Sequence, residues 1–368
     1  MNPEDLLENL DEEQAVAATS LRGPTCILAG AGTGKTRTIT HRIAYGIATG
    51  YFSANRVLAL TYTNKAAAEL RARLRALGQG QVTAKTFHAA ALSQLEFFWP
   101  QYAVKQVPKV LESKANLLTS LAKDRKIKVD AATLRDLAAE IEWRKYSLSS
   151  LEQYRELQRT PPSGLTKTQT FELMSAYEDA KIDANQIDCE DVLVLCLGML
   201  RAEPRALAHV QQQYRFFTVD EYQDISPLQH ALLDTWLGDR NDLCVVGDPN
   251  QTIYSFTGAS STFLQTFESR YENATVVELT SNYRSTKQIV NFANRLSQNL
   301  DPLVSQQELG LAPQVLDFAT RADEAAYVAK QLKAAIEKGA KPAQLAVLYR
   351  VNGQSELLEN ALAQVGID

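Results

Sequence analysis

Eight consecutive residues, Ala29-Gly30-Ala31-Gly32-Thr33-Gly34-Lys35-Thr36, have the types and spacing to hold a polyphosphate. Glycines let successive backbone N–H groups close around phosphate oxygens. A lysine reaches the β- and γ-phosphates, and a threonine hydroxyl ligates Mg²⁺. The pattern is G-x-x-x-x-G-K-[ST] with Ala29 in the first glycine position, small enough to keep the turn tight. An ordinary glycine-rich turn has no need of Gly34-Lys35-Thr36. Far downstream, Asp220 and Glu221 close the apolar run Phe216-Phe217-Thr218-Val219. An acidic residue there can hold Mg²⁺ opposite the phosphate loop, and its neighbour can polarise the attacking water as general base. Such a pair also caps helices; the phosphate loop upstream favours the catalytic reading. Gln251, just beyond Gly247-Asp248, could sense a γ-phosphate. In Asn282-Tyr283-Arg284-Ser285, Tyr283 could stack on adenine and Arg284 could neutralise charge on the transferred phosphoryl group. Gln14 could select the base, since an amide both donates to and accepts from the adenine edge.

A second group of residues suits a nucleic-acid strand. Asn64 and Lys65 open a basic helical stretch beside Tyr62, fit for a phosphate backbone and a stacked base. Tyr254 and Phe256 could stack further bases. The alternatives, a solvated helix face and two core aromatics, stay open on these residues alone.

These groups need strands and helices to place them. Cys26-Ile27-Leu28 leads into the phosphate loop, and Ile39, Ile43 and Ile47 mark the helix after it. Val57 to Leu60, Val82 to His88, Phe216 to Glu221, Leu243 to Asp248, Thr275 to Leu279 and Leu345 to Tyr349 read as strands or strand ends. Strands alternating with helices predict parallel α/β layers. Asp11 is the expected N-cap of a short helix at Ala15–Ala18. Between residues 96 and 190 the pattern turns helical, with stripes at Leu134, Leu137, Ala138 and Ile141 and at Leu173, Ala176, Tyr177 and Ala180, and it reads as an insertion.

The 368 residues suffice for two or three domains, and 45% apolar with 22% charged content is that of a soluble globular chain. Val192–Leu197, the longest apolar run, is too short for a bilayer, and the acidic N-terminus lacks a signal-peptide core, which points to the cytoplasm and no membrane. Cys26, Cys189, Cys196 and Cys244 read as buried free thiols, and the four histidines are too scattered for zinc. The net charge is −5, but six acids between Glu4 and Glu13 bring it there from +1, so a local basic face is compatible with it.

Taken together the motifs resemble the UvrD-like superfamily 1 DNA helicases, in order along nearly the whole chain. The matching stretches are Leu10–Gln14, Ala29–Thr36, Thr61–Leu70, Thr86–Ala89, Val219–Asp224, Val246–Ala259, Leu279–Ser285 and Leu348–Arg350. The resemblance implies an α/β fold. A P-loop (RecA-like) parallel-sheet motor domain would span 1–95 and 191–273, with a helical insertion at 96–190 and part of a second RecA-like domain at 274–368. It implies ATP-driven 3′→5′ translocation on single-stranded DNA and unwinding at duplex/single-strand junctions, with ATP and Mg²⁺ as cofactors; the oligomeric state stays open. It casts Gln14, Arg37 and Tyr283 as adenine contacts. Lys35, Thr36, Asp220, Glu221, Gln251 and Arg284 become the Mg-ATP hydrolysis set, and Tyr62, Asn64, His88, Tyr254 and Phe256 line the DNA track. Tyr62 stands where the family often has Phe, Phe256 where it has Trp, and Thr257 where it usually has Arg. The family's later motifs, including another arginine for the ATP cleft, have no counterpart after Leu357–Ile367. The expectation is therefore a truncated form with impaired motor activity; a chain that only binds ATP and single-stranded DNA is the alternative. A phosphate-loop ATPase acting on some other partner is a third reading, marked by no affinity for single-stranded DNA.

Overall fold

A computed structural model of the chain describes residues 2–102, 106–296 and 301–367. Contacts gather them into two compact units, one through Gly310 and one from Leu311 onward. In the first unit, Asp11 caps α1 (Glu12–Thr19) by accepting the Gln14 N–H at 2.7 Å. β1 (Thr25–Ala29) feeds the phosphate loop and α2 (Lys35–Ala48), and β2 (Val57–Thr61) feeds α3 (Asn64–Ala76). β3 (Thr83–Thr86) runs into α4 (Phe87–Tyr102). There follow β4 (Lys109–Val110), α5 (Lys114–Asp124), α6 (Ala131–Tyr146), α7 (Leu151–Glu156), α8 (Lys167–Asp183), β5 (Gln186–Ile187), α9 (Cys189–Ala202) and α10 (Pro204–Gln213). The chain then returns to sheet and helix with β6 (Phe216–Val219), α11 (Pro227–Leu237), β7 (Leu243–Gly247), α12 (Thr262–Gln265), α13 (Phe267–Arg270) and β8 (Thr275–Leu279). β9 (Ser281–Asn282), α14 (Lys287–Asn294) and β10 (Val304–Ser305) complete the unit.

Six parallel strands form one sheet in the order β3-β2-β6-β7-β1-β8. Both faces are covered, so the strands are apolar on both sides. Leu58, Leu60, Phe217, Val219 and Val245 pack on one face against α4, α9 and α11, around the fully buried Trp236. Ile27, Val57, Ala59, Cys244 and Val246 pack on the other against Ile39 and Ile43 of α2 and Leu70 and Leu74 of α3. A separate core holds the inserted helices together, built on Leu118, Leu137, Ile141, Leu173 and Tyr177.

A buried ionic knot joins those inserted helices to α9. Asp188 caps α9 and, at 2% exposure, accepts Lys145 Nζ at 2.6 Å, Lys181 Nζ at 3.2 Å and the Tyr177 hydroxyl at 3.0 Å. Burial pushes the Asp188 carboxyl up, but Lys145 and Lys181 outweigh it and hold it well below the usual carboxylate range. Removing one partner of such a knot leaves buried charge uncompensated. Asp188→Ala should therefore destabilise the fold by about 3–5 kcal/mol in urea denaturation, where the exposed Glu69–Arg73 pair would contribute under about 1 kcal/mol. Because the folded carboxyl is the more acidic, this stabilisation is present at neutral pH and is lost as pH falls below the ordinary carboxylate range.

Two expectations, a strand at Leu345–Tyr349 and a buried thiol at Cys189, are corrected below. β8, which follows the boundary expected after residue 273, pairs along the whole of β1 at the edge of the first sheet, and the compact unit continues to Gly310. In the second unit, which holds α15 (Arg321–Glu337) and α16 (Ser355–Gln364), Leu345–Tyr349 joins no ladder and Leu348 is 94% exposed. Its β-like composition finds no partner strand among the described residues of that unit. Finally, Cys189 is exposed at the first turn of α9, while Cys26, Cys196 and Cys244 are buried and free. Among the described residues no helix is long and apolar enough to cross a membrane.

Candidate functional site

The phosphate loop leaves the carboxyl end of β1, where ligands of parallel sheets bind. Gly32 and Gly34 sit at φ 81° and 85°, a region that side chains resist. A Cβ on Gly32 would also stand 2.7 Å from Asn282 Nδ2 and 2.8 Å from the Arg284 Cβ. Thr33 is buried, its hydroxyl donating to the Gly30 carbonyl at 2.9 Å. Lys35 and Thr36 begin α2, whose positive end faces the loop. This cradle of backbone donors with a lysine at its lip fits a polyphosphate.

Two strands away, β6 ends against the same region. Asp220 is buried, and burial followed by the charge of Glu221 raises its carboxyl to about 7, with Lys35 pulling it down. Within the described residues it takes one backbone hydrogen bond, from the Glu221 N–H at 3.0 Å. An acid this poorly solvated is suited to a cation. No group of three His, Cys, Asp or Glu side chains gathers among the described residues; Thr36 and Asp220 are the residues that could hold Mg²⁺ beside a bound polyphosphate. Glu221 lies 3.8 Å from Lys35 Nζ and is a non-glycine residue at φ 53°. Gln251 donates to Asp248 at 2.6 Å from the loop after β7.

The expected adenine contacts converge on the start of α1. Gln14 is buried and its amide donates to the Thr33 carbonyl at 2.9 Å. The Tyr283 hydroxyl donates to Asp11, the residue that caps α1, and Glu13 accepts the Thr280 N–H at 2.6 Å. Arg37 is exposed and donates to the Asn9 carbonyl. Beyond β8, Asn282 donates to the Ala31 carbonyl at 2.6 Å, and its side-chain oxygen accepts the N–H groups of Arg284 and Ser285. Arg284 is thereby seated on the phosphate loop, exposed and without an ion pair among the described residues.

At the neighbouring strand ends, Tyr62 stacks on Tyr254 with ring centroids 4.5 Å apart, and Phe256 follows at 6.2 Å from Tyr254, 66% exposed. Asn64 is exposed at the start of α3. His88 is half-buried; burial lowers its pKa, keeping the ring neutral, and its Nε2 lies 3.3 Å from the Tyr146 hydroxyl. Sequence reasoning missed Tyr146, which ends α6 and packs beside both His88 and Gly258. It also left Asn282, Gln223 and Asp224 without roles. The latter two follow the carboxylate pair after one intervening residue, Tyr222, a signal that was present; Tyr146, 58 residues from His88, had none.

Comparison with known proteins adds the family context. A model of the UvrD/REP helicase N-terminal domain matches residues 10–272, and one of the UvrD-like helicase C-terminal domain matches residues 277–368. The ATP-dependent DNA helicase UvrD2 of Mycobacterium tuberculosis is 43% identical over 98% of this chain and 55% of its own length. The ATP-dependent DNA helicase PcrA of Staphylococcus epidermidis is 30% identical over 98% of the chain and 50% of its own length, and that of Bacillus subtilis 29% over 99% and 50%. The chain thus spans about half the length of the curated relatives it matches.

Proposed function

The chain belongs to the UvrD/REP helicase family, and from that premise we propose that it binds Mg-ATP and single-stranded DNA as part of an ATP-dependent, 3′→5′ DNA helicase. The observation that carries this reading is that the phosphate loop and the Tyr62–Tyr254 platform stand on the carboxyl edge of one sheet. Gln14 and Tyr283 select and stack adenine, with Arg37 beside them. Lys35 and Arg284 meet the charge of the β- and γ-phosphates. Glu221 takes the proton as a water oxygen bonds to the γ-phosphorus and the bond to the β–γ bridging oxygen breaks. Thr36 and Asp220 would hold Mg²⁺, which would supply neutralisation of phosphate charge when bound. Gln251 senses the γ-phosphate. Tyr62, Asn64, His88, Tyr254 and Phe256 carry the strand, up to a duplex/single-strand junction.

ATP hydrolysis with and without a single-stranded oligonucleotide tests the reading. DNA-stimulated turnover is expected. Binding of both ligands without turnover would make this polypeptide a binding part only, and no DNA affinity at low salt would point to a different partner. Tyr254→Ala removes a stacking ring worth about 1–3 kcal/mol per base, so DNA affinity should fall roughly 5- to 150-fold in fluorescence anisotropy with ATP affinity in the absence of DNA unchanged.

A further inference from the structure

We propose that the inserted helices carry a second nucleotide site, a cavity between α7 and α8 that takes a nucleoside 5′-phosphate, free or as one unit of a strand. The cavity, of about 440 Å³, lies in the roughly 300–1,000 Å³ range of small-molecule sites. Its walls come from α7, α8 and the 157–161 segment between them, and none of their residues serves the ATP and strand roles above. Leu157 leaves α7 in extended backbone at ψ 143°, and Pro161 and Pro162 cannot continue a helix, so the segment runs on to α8 as open chain beside the cavity.

The lining has the two surfaces that a nucleotide needs. Leu157, Pro161, Phe171 and the ring of Tyr154 supply the apolar part, the Tyr154 hydroxyl being used by donating to Glu140 at 2.7 Å. The Arg155 guanidinium stands over the Phe171 ring, 5.2 Å from its centroid, so a planar base meets a phenyl face and a guanidinium plane, both of which stack on bases. Three cations line the cavity. Arg159 is matched, its Nε and Nη2 donating to Glu140 at 2.8 and 2.5 Å. Arg155 and Lys167 are exposed and enter no ion pair or hydrogen bond among the described residues, and one carboxylate, Glu172, shares the wall with them. The surplus is positive, as a phosphate monoester requires, and the Thr168 hydroxyl beside Lys167 is likewise without a hydrogen bond among the described residues.

One side chain links this cavity to the aromatic platform. Arg159 covers the Trp143 ring at 3.6 Å from its centroid, and a Cβ on Gly258 would lie 3.8 Å from Trp143 Cδ1. Gly258 closes the turn that Tyr254 begins, so Arg159, Trp143 and Gly258 form a continuous path from the cavity to the loop carrying Tyr254 and Phe256. A strand is therefore a source of the nucleotide unit as well as the free compound, and only that source rests on the strand reading above. An acidic peptide would satisfy the charge, but the facing phenyl and guanidinium planes favour a flat ring joined to the phosphate.

The test uses the full chain, with the phosphate loop filled by a non-hydrolysable ATP analogue, and two probes. Thymidine 5′-monophosphate is titrated by calorimetry, and an oligothymidylate by fluorescence anisotropy. Phe171→Leu keeps an apolar side chain and removes the ring, and should weaken the bound probe roughly 5- to 150-fold. Arg155→Gln removes the unpaired charge and should weaken it about tenfold. Neither substitution should change ATP hydrolysis in the absence of DNA. Loss of affinity for the monophosphate assigns the cavity to a free nucleotide, and loss for the oligothymidylate assigns it to a unit of a strand. If neither probe responds to either substitution the proposal is overturned, and a peptide of glutamate and phenylalanine that alone responds would make the cavity a protein-docking site instead. Arg155 is exposed on α7, so Arg155→Gln decides the matter if Phe171→Leu does not fold. The monophosphate result is independent of DNA-stimulated hydrolysis, whose absence in the unmodified chain would count against the functional reading alone.

Discussion

Arg284→Ala should lower ATP turnover by about 10³–10⁵-fold, roughly 4–7 kcal/mol of barrier, while Mg-ATP affinity changes little. The asymmetry follows from where the side chain is and what holds it. Asn282 fixes the Arg284 backbone to the phosphate loop through the Ala31 carbonyl, at 2.6 Å, and through the Arg284 N–H, at 3.0 Å. The guanidinium itself is exposed and has no ion pair among the described residues, so it is spare for charge that grows as the γ-phosphoryl group transfers. In the proposed reading, ground-state phosphates are met by the loop's N–H groups and Lys35. Arg284→Lys keeps the charge but loses the planar fork, and should recover only part of the rate. Phosphate release and binding of a fluorescent ATP analogue measure the two quantities separately. Turnover within about tenfold of the unmodified chain would remove Arg284 from the reacting phosphoryl group.

How much of this was legible in the sequence depends on how local each signal was. The phosphate loop, the Asp11 cap and the strands ending at Ala29, Thr61 and Val219 are set by neighbours a few residues away, and periodicity and capping chemistry expose them. Thr275–Leu279 is legible as a strand, but its partner, β1, lies some 250 residues earlier, so its place at the edge of the first sheet was not. Leu345–Tyr349 carries the composition of a strand without a strand to pair with among the described residues of its unit; composition reports propensity, and pairing is tertiary. Cys189 sits among aliphatic residues in sequence, yet a helix turns successive positions by about 100° and this one faces out. The site divides in the same way. Residue types made Lys35, Asp220, Glu221 and Arg284 candidates. Two of the hydrogen bonds that register their loops, from the Asp248 N–H to Gln223 and from Asn282 to the Ala31 carbonyl, cross 25 and 251 residues and leave no trace in any short window.

Glu221→Gln should abolish most hydrolysis, by about 10²–10⁴-fold, and leave Mg-ATP binding intact or tighter. The substitution is close to isosteric, and glutamine still offers the Gln223 amide an oxygen to accept its 2.8 Å hydrogen bond, so the loop after β6 keeps its register. What is lost is a group that can take a proton. What is gained is electrostatic: Glu221 is the largest charge raising the Asp220 carboxyl, which burial and that neighbour together hold at about 7. Without it, Asp220 ionises more readily at neutral pH and Lys35 loses a competing anion 3.8 Å away, both of which favour Mg-ATP in the ground state. Slow turnover with tight binding is therefore the expected pair, read by phosphate release and by titration with a fluorescent ATP analogue. Weakened binding alongside slow turnover would assign Glu221 to holding the nucleotide, and hydrolysis at the unmodified rate would require another base.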